Sequence, residues 1–253
     1  AFSSGGGGDG GCSNFEDSLG TDANGSNSGS TINTSDQKLG DGCLSFDGSN
    51  DFVNIDGAVD FSTTVGSISV WVNAGSSQDN TIMAFGDTDA NEYLAIRSDG
   101  DSIFVLMRAA AGTQWESSKS GLGTDEWHLV TIVQDGTAVK WYFDNTEVTA
   151  FHSEADKSAW MSSGIDNGRL GCISRNSGGD VDFFDGLIDD IGLWDVAINS
   201  TTRDYIYNSG DGRKISQLGT AGTDTTCDGI KVYYDCDEFD DTSVLTNNAV
   251  PIE

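Results

Sequence analysis

Apolar residues along this chain recur with the period of β-strands. Ile68, Val70 and Val72 are each separated by one residue of another type, as expected where successive side chains point to opposite faces of a sheet. Residues 126–134 are apolar on both faces, which is typical of a central strand. Short runs of this kind, separated by Gly, Asn and Asp, occupy residues 43–46, 52–55, 67–73, 81–85, 93–97, 102–108, 126–134, 139–143, 147–151, 169–174 and 183–194. The spacing predicts an all-β fold of the sandwich or jelly-roll type.

One short helix is predicted after these strands. Asn199 or Ser200 can cap its start, and the sequence Asn-Ser-Gly at 208–210 can supply a left-handed stop. The predicted body of the helix, residues 201–207, is barely two turns long.

Composition divides the chain into three parts. Residues 1–12 are rich in Gly and Ser and are predicted to form a flexible leader. Residues 13–218 carry the strands and the helix as one domain. Residues 219–253 begin with a polar stretch and contain a further strand at 230–234. That strand either opens a second repeat or completes a sheet, in its own domain or in a neighbouring subunit.

The charge balance is strongly acidic. The 253 residues include 41 acids and 12 bases, a net charge of −29. This charge repels phosphates, so nucleic acids and anionic membrane surfaces are excluded as partners. No apolar run approaches the ~18 residues of a membrane span. The acids can solvate the protein or bind Ca²⁺ through oxygen.

Five cysteines and three glycosylation sequons bear on the compartment. Cys227 and Cys236 flank a short apolar run and could close a small loop as a disulfide, whereas Cys43 and Cys172 could equally be buried small hydrophobes. The cysteines favour an oxidising, extracellular setting. The sequons could accept glycans at Asn24, Asn33 and Asn199.

Several segments together resemble the laminin-G-like domains of the concanavalin-A-like superfamily, especially its bacterial, archaeal and viral branch. The matching phrases, in family order, are residues 14–18, 44–53, 68–72, 126–130, 184–191 and 205–210. The resemblance implies a two-sheet antiparallel jelly-roll sandwich over residues 13–218. It also implies an extracellular, calcium-dependent module that binds carbohydrate or glycoprotein in adhesion. The alternative is a self-assembling structural subunit of a surface filament, envelope layer or virion.

A structural Ca²⁺ site is implied by the same resemblance, with Glu16, Asp17 and Asp190 as its ligands. An acid within an apolar strand is costly unless it is paired or metal-bound, although Asp190 could simply accept backbone N–H bonds. A strict period of two along residues 183–194 places Ile191 and Leu193 on the same face as Leu187 and Asp189, with Asp190 on the other.

Two loop clusters are further Ca²⁺ candidates, because alternate oxygen-bearing side chains can converge on one ion. One is Asp87, Asp89 and Asn91, and the other is Asp47 with Asp51 across a turn. Ordinary solvated loop acids are the alternative at both places.

A catalytic role is not predicted. The paired carboxylates of glycoside hydrolases in this superfamily, in a Glu-x-Asp-x-x-Glu pattern, do not occur in the sequence. A Ser-His-Asp site would need His128 or His152. His128 lies in a strand phrase and is predicted to be packed in the core.

A sugar site needs an exposed aromatic side chain beside polar groups. Trp71, Trp127 and Trp194 belong to strand phrases of the family and are therefore predicted to be core residues. The candidate ligand contacts are Trp115, Trp160 and Tyr93. The alternative is that these three side chains cover the ends of the sandwich.

Overall fold

A computed structural model of the chain describes residues 24–59, 64–161, 164–218, 229–237 and 244–245. Its strands are β1 (Gly25–Ser28), β2 (Thr31–Asn33), β3 (Cys43–Asp47), β4 (Phe52–Asn54), β5 (Gly66–Ala74), β6 (Asn80–Gly86), β7 (Tyr93–Asp99), β8 (Ser102–Ala109), β9 (Gly112–Ser120), β10 (Trp127–Gln134), β11 (Val139–Phe143), β12 (Thr146–Glu147), β13 (Phe151–Glu154), β14 (Asn167–Leu170), β15 (Ile173–Ser174), β16 (Asp180–Val181), β17 (Asp185–Trp194), β18 (Ile230–Tyr234) and β19 (Val244–Leu245). Helix α1 spans Ser200–Tyr207, and short 3₁₀ turns lie at Asp56–Val59, Asn208–Gly210 and Ile215–Gln217.

Two large antiparallel sheets form the body of the described chain. The first sheet has the order β13-β9-β8-β7-β6-β14-β4-β1-β19, and the second has the order β12-β11-β10-β5-β17-β3-β2 with β18 also paired to β17. The inward positions of both sheets, such as Val70, Val72, Phe85 and Ile96, are buried in one continuous core. The predicted all-β jelly-roll sandwich with one short helix is confirmed.

A second, smaller core covers part of the outer face of the second sheet. Trp71, Leu129 and Trp194 on that face pack against Ile206 of α1 and Ile215 of the following turn. The side chain of Asn199 caps α1 by accepting the N–H of Thr202 at 3.0 Å. The helix ends at Asn208 in the left-handed conformation, as predicted.

A β-bulge changes the face assignment along β17. The register with β5 shifts between Asp189 and Gly192, and Asp190 has a φ of 45°. The extra residue turns Ile191 and Leu193 into the main core together with Ile188, whereas Leu187 and Asp189 stay on the outer face. The prediction from a strict period of two is therefore wrong beyond Asp189, because a bulge inserts one residue into the alternation.

The C-terminal strand pairs within its own chain. β18 lies against Ile191–Trp194 of β17, on the edge whose first half is occupied by β3. β19 pairs with β1 in the first sheet. The alternatives for this segment were the start of a second repeat and the completion of a sheet. Both described strands complete sheets of the same sandwich. Residues 1–12, the predicted leader, lie outside the described residues.

The predicted strands differ from the observed ones at three places. Residues 169–174 are not one strand, because they are divided between β14 and β15, which belong to different sheets. Residues 147–151 are not one strand, because the chain crosses there from β12 in the second sheet to β13 in the first. β9 is absent from the predicted strands, because its sequence is polar except for Trp115. No helix in the described part of the chain has the length and apolar character needed to span a bilayer.

Candidate functional site

An open depression lies on the uncovered half of the second sheet's outer face. Its floor is a row of directly opposed residues on neighbouring strands, in which Trp127 faces Asn73, Asn73 faces Leu187, and Leu187 faces Ser45. Directly opposed residues project from the same side of a sheet. The row therefore presents one aromatic, one amide, one aliphatic and one hydroxyl side chain to the same space.

The loop between β2 and β3 forms the wall of this depression. Asp36 and Gln37 of the loop, together with Asp125 before β10, complete a cavity of about 430 Å³ with Asn73, Trp127 and Leu187. A second hollow of about 220 Å³ adjoins it and shares Asp36, Asn73, Asp125 and Leu187. It extends the cavity toward Asn33, Ser45 and Asp185. The larger cavity falls in the ~300–1,000 Å³ range of small-ligand sites.

Two sets of hydrogen bonds hold the loop in place. Asp189 Oδ2 accepts the backbone N–H groups of Lys38 and Leu39, both at 2.9 Å. The indole Nε1 of Trp127 donates to the carbonyl of Asp36 at 2.9 Å. The wall and the floor of the depression are thereby fixed to each other.

Asp189 and its neighbour Asp190 are both fully buried. Burial raises the pKa of Asp189 to about 8 against the N–H bonds that lower it, and the Asp190 charge adds to the rise. Burial likewise raises the pKa of Asp190 to about 7, against the hydrogen bond from Tyr233. Each carboxyl is therefore protonated more readily than an ordinary aspartic acid.

Asp190 is engaged in two hydrogen bonds, and its role as a calcium ligand, implied by the family resemblance, stays a prediction. Its Oδ1 accepts the hydroxyl of Tyr233 at 2.8 Å, and its Oδ2 accepts the N–H of Ile215 at 3.1 Å. Both oxygens thus face hydrogen-bond donors, which agrees with the alternative that Asp190 serves backbone donors. Glu16 and Asp17 lie outside the described residues.

The loop cluster at Asp87, Asp89 and Asn91 is committed to internal bonds. Asp87 Oδ1 accepts the N–H groups of Asp89 and Ala90, which closes its own turn. Asn91 Oδ1 accepts the guanidinium of Arg175 at 3.0 Å. The oxygens named here already serve hydrogen-bond donors of the chain, and Ca²⁺ binding at these three residues stays a prediction.

Asp47 and Asp51 shape the turn between β3 and β4. Asp51 Oδ2 accepts the N–H of Asp47, and Asp47 Oδ1 accepts the N–H of Ser49. Burial and the Asp47 charge raise the pKa of Asp51. Across the described ranges, no three His, Cys, Asp or Glu side chains are placed to hold a metal ion. Calcium at this turn stays a prediction.

The three aromatic residues predicted as ligand contacts are buried. Trp115 has no exposed surface and donates its Nε1 hydrogen to the carbonyl of Ala159, and Trp160 is 2% exposed. Tyr93 is 7% exposed and lies beneath the guanidinium of Arg175. None of them can present a ring face to a sugar, so the prediction is wrong: Trp115 and Trp160 belong to the main core, and Tyr93 belongs to a separate small cluster.

Trp127 is the tryptophan that lines the depression. It was predicted to be core because it belongs to a family strand phrase, but it is only partly buried and lines the depression. The usable signal is its place at the first residue of β10, directly after the loop residues Asp125 and Glu126, where the strand begins at an exposed loop.

The cysteines and sequons have local explanations. Cys43, Cys172 and Cys236 are buried free thiols. The predicted disulfide is not formed at Cys236, and Cys227 lies outside the described residues. Asn199 is the helix cap, and Asn33 borders the second hollow. Asn24 lies just before β1. Glycosylation at these three residues stays a prediction.

Neither histidine belongs to a catalytic triad within the described residues. His128 Nδ1 lies 2.8 Å from Asp144, and its ring stacks on Phe143. His152 Nε2 lies 2.7 Å from the Ser118 hydroxyl at an exposed position. No carboxylate there orients the ring of His152.

The two packed sheets and the polar, aromatic depression define a lectin-like β-sandwich. The chain belongs to the family whose model is Laminin_G_3, described as the concanavalin A-like lectin/glucanases superfamily, which matches residues 47–202. That range runs from the end of β3 into α1. A comparison with curated proteins finds no match.

Solved structures share the fold at low sequence identity. The NanB sialidase of Streptococcus pneumoniae is 18% identical, with a TM-score of 0.55 over 65% of this chain and 27% of the sialidase. Domain 4 of the arabinanase AbnA from Geobacillus stearothermophilus, solved with arabinotriose, is 19% identical, with a TM-score of 0.52 over 73% of this chain and 82% of that domain. The CBM40 of the Ruminococcus gnavus IT-sialidase, bound to α2,3-sialyllactose, is 12% identical, with a TM-score of 0.54 over 62% of this chain and 91% of the module.

Proposed function

We propose that this chain is a non-catalytic carbohydrate-binding module and that the depression at Trp127 is its sugar site. The observation that carries the proposal is the partly exposed indole beside the side chains of Asp36, Gln37, Asn73 and Asp125. An aromatic face packs on the C–H side of a sugar ring, and the surrounding oxygens accept its hydroxyl hydrogens. The sugar-bound sandwiches of AbnA and the CBM40 support a binding role for this fold.

The same proposal includes the setting in which the module works. An extracellular role in adhesion, at a cell or virion surface, suits a net charge of −29. Calcium dependence rests on Glu16 and Asp17, which lie outside the described residues, and on the turn at Asp47 and Asp51. The strand that prompted the self-assembly alternative is already paired with β17, so no observation favours that alternative.

A glycan array followed by calorimetry tests the proposal. Trp127→Ala is expected to weaken the best glycan at least tenfold, because truncating an aromatic anchor costs about 2 kcal/mol and 1.4 kcal/mol is a factor of ten. The matched control is Phe104→Ala, which removes another partly buried aromatic side chain, on the outer face of the first sheet.

Calorimetry with and without EDTA would report the calcium dependence separately. Folding of both variants is checked by thermal unfolding. The site assignment would be wrong if Phe104→Ala abolished binding and Trp127→Ala did not. The function itself would be wrong if the chain bound no glycan on the array.

A further inference from the structure

We propose that the depression selects uncharged oligosaccharides and rejects sugars that carry a carboxylate, such as sialylated or uronate-containing glycans. The inference rests on the proposed function and adds the class of ligand to it. It is drawn from the charges and hydrogen-bonding groups that line the depression.

All charged side chains that line the two hollows are acidic. They are Asp36, Asp125 and Asp185, and the described lining contains no Lys, Arg or His. A bound carboxylate would stand among like charges without a counter-ion. Recognition of a carboxylate ordinarily uses an Arg fork or another cation, and this site offers neither.

The nearest cation in sequence is turned away from the site. Lys38 follows Gln37 directly, but its Nζ donates to the carbonyl of Gly210 at 2.6 Å. The same Nζ lies 4.3 Å above the ring of Trp71, in the covered half of the face. Lys38 is therefore engaged under the helical cover and cannot neutralise an acidic sugar in the depression.

The other lining groups suit neutral hydroxyls. Carboxylate oxygens accept hydroxyl hydrogens, and the amides of Asn33, Gln37 and Asn73 both donate and accept. Gln37 Oε1 is a buried oxygen without a hydrogen-bond partner in the structure. The Gln37 side chain lines the wall, and a sugar hydroxyl can supply the missing donor once that side chain turns outward.

The shape of the site favours more than one sugar ring. The two hollows share Asp36, Asn73, Asp125 and Leu187 and so form one elongated depression. Trp127 lies at one end, and Asp185 lies at the other. A chain of sugars can stack one ring on the indole and place the next against the remaining polar groups.

Matched glycan pairs test the inference. After an array of neutral and acidic glycans, calorimetry compares the best ligand with its counterpart that has gained or lost one carboxylate, for example lactose with 3′-sialyllactose. We expect the neutral member to bind at least tenfold tighter. The ratio should shrink as ionic strength rises from about 0.05 M to about 0.5 M, because salt screens exposed charges.

The variant Asp36→Asn/Asp125→Asn isolates the cause. Because the variant keeps Trp127, the shape of the site and an acceptor oxygen at each position, the readout is the ratio between the two affinities, which should fall at least threefold whatever the change in each affinity. Tighter or equal binding of the acidic member, lost on Trp127→Ala, would overturn the inference and leave the proposed function standing. An unchanged ratio in the double variant would also overturn it. Absence of all glycan binding would remove both.

Discussion

The buried carboxyl of Asp189 is predicted to hold in place the loop between β2 and β3, which forms the wall of the depression. Its Oδ2 atom is the shared acceptor for the N–H groups of Lys38 and Leu39. The wall residues Asp36 and Gln37 come just before these two amides in the chain. Asp189→Ala removes the acceptor and nothing else from the site, since Asp189 does not line the depression.

The structure sets the size of the effect. Each backbone bond contributes about 1 kcal/mol net, so losing both lowers the free energy of unfolding by about 2 kcal/mol. A donor left buried without an acceptor costs about 1–3 kcal/mol, which would raise the total to as much as about 6 kcal/mol. Lys38 and Leu39 are only partly buried, so the loop can turn the two amides toward water. We therefore expect a loss of about 2–4 kcal/mol.

Urea unfolding at pH 6 measures the loss, with the slope of the transition held as a check. Amide hydrogen exchange at Lys38 and Leu39 reports directly on the two hydrogen bonds to Asp189. The exchange of both amides should accelerate strongly in Asp189→Ala. The control is Asp189→Asn, which keeps a carbonyl oxygen of the same shape and should stay within about 1 kcal/mol of the parent. The proposed role of Asp189 would be disproved if Asp189→Ala lowered the free energy of unfolding by less than about 0.5 kcal/mol and both amides kept their protection from exchange.

Three further outcomes are expected. Because burial raises the pKa of Asp189 to about 8 and that of Asp190 to about 7, the folded state holds protons that the unfolded state releases near pH 4. The stability they contribute is complete below about pH 4 and is lost progressively as pH rises to the folded-state pKa values of about 7 and about 8. The melting temperature should therefore fall between about pH 4 and 8, and a profile equally steep in Asp189→Asn/Asp190→Asn would contradict this. Asn199→Ala should cost about 1 kcal/mol by urea unfolding through loss of the helix cap, and an equal cost for Ser200→Ala would argue against the cap. Trp115→Ala should cost about 3–5 kcal/mol in the same assay; a stable variant that no longer binds glycan would restore Trp115 as a ligand contact.

The sandwich could be predicted because its strongest signals are local. The central strands β5 and β10 repeat apolar residues at a period that few other structures share, and α1 carries its cap and stop within ten residues of each other. β9 escaped prediction because its buried positions are Trp115 and Ser117 in an otherwise polar stretch. The position of Trp115 was therefore misjudged together with its strand.

The bulge in β17 could not be predicted from alternation alone. A bulge depends on what lies on both sides of the strand, and Asp190 is held in its left-handed conformation among partners 25 and 43 residues away. The family resemblance and the cost of an acid within an apolar strand suggested a metal, because the sequence does not show that Ile215 and Tyr233 supply donors. These long-range hydrogen bonds stabilise the buried carboxyl, as a bound ion would also do.

The candidate site was hidden for a similar reason. Trp127 contacts the backbone of Asp36, which is 91 residues earlier in the chain. No local sequence pattern indicates that the loop after β2 lies beside the first residue of β10. Family phrases indicate which strands exist, but the exposure of a residue on the outer face depends on where the covering segment ends.

The outer face of the second sheet thus serves two purposes, and β17 lies at their border. Helix α1 and the turn at Ile215 cover one half, where Trp71 and Trp194 complete a second core. Helix α1 and the turn do not extend over the other half, and the β2–β3 loop forms a wall beside it. Asp190 holds the cover through Ile215, and Asp189, the next residue along the strand, holds the wall of the depression. Since the two carboxyls are adjacent and buried, a change that ionises one of them raises the cost of ionising the other. The stability of the cover and the placement of the site wall are therefore coupled through one bulge, so variants that loosen β18 or α1 should weaken glycan binding without touching the sugar.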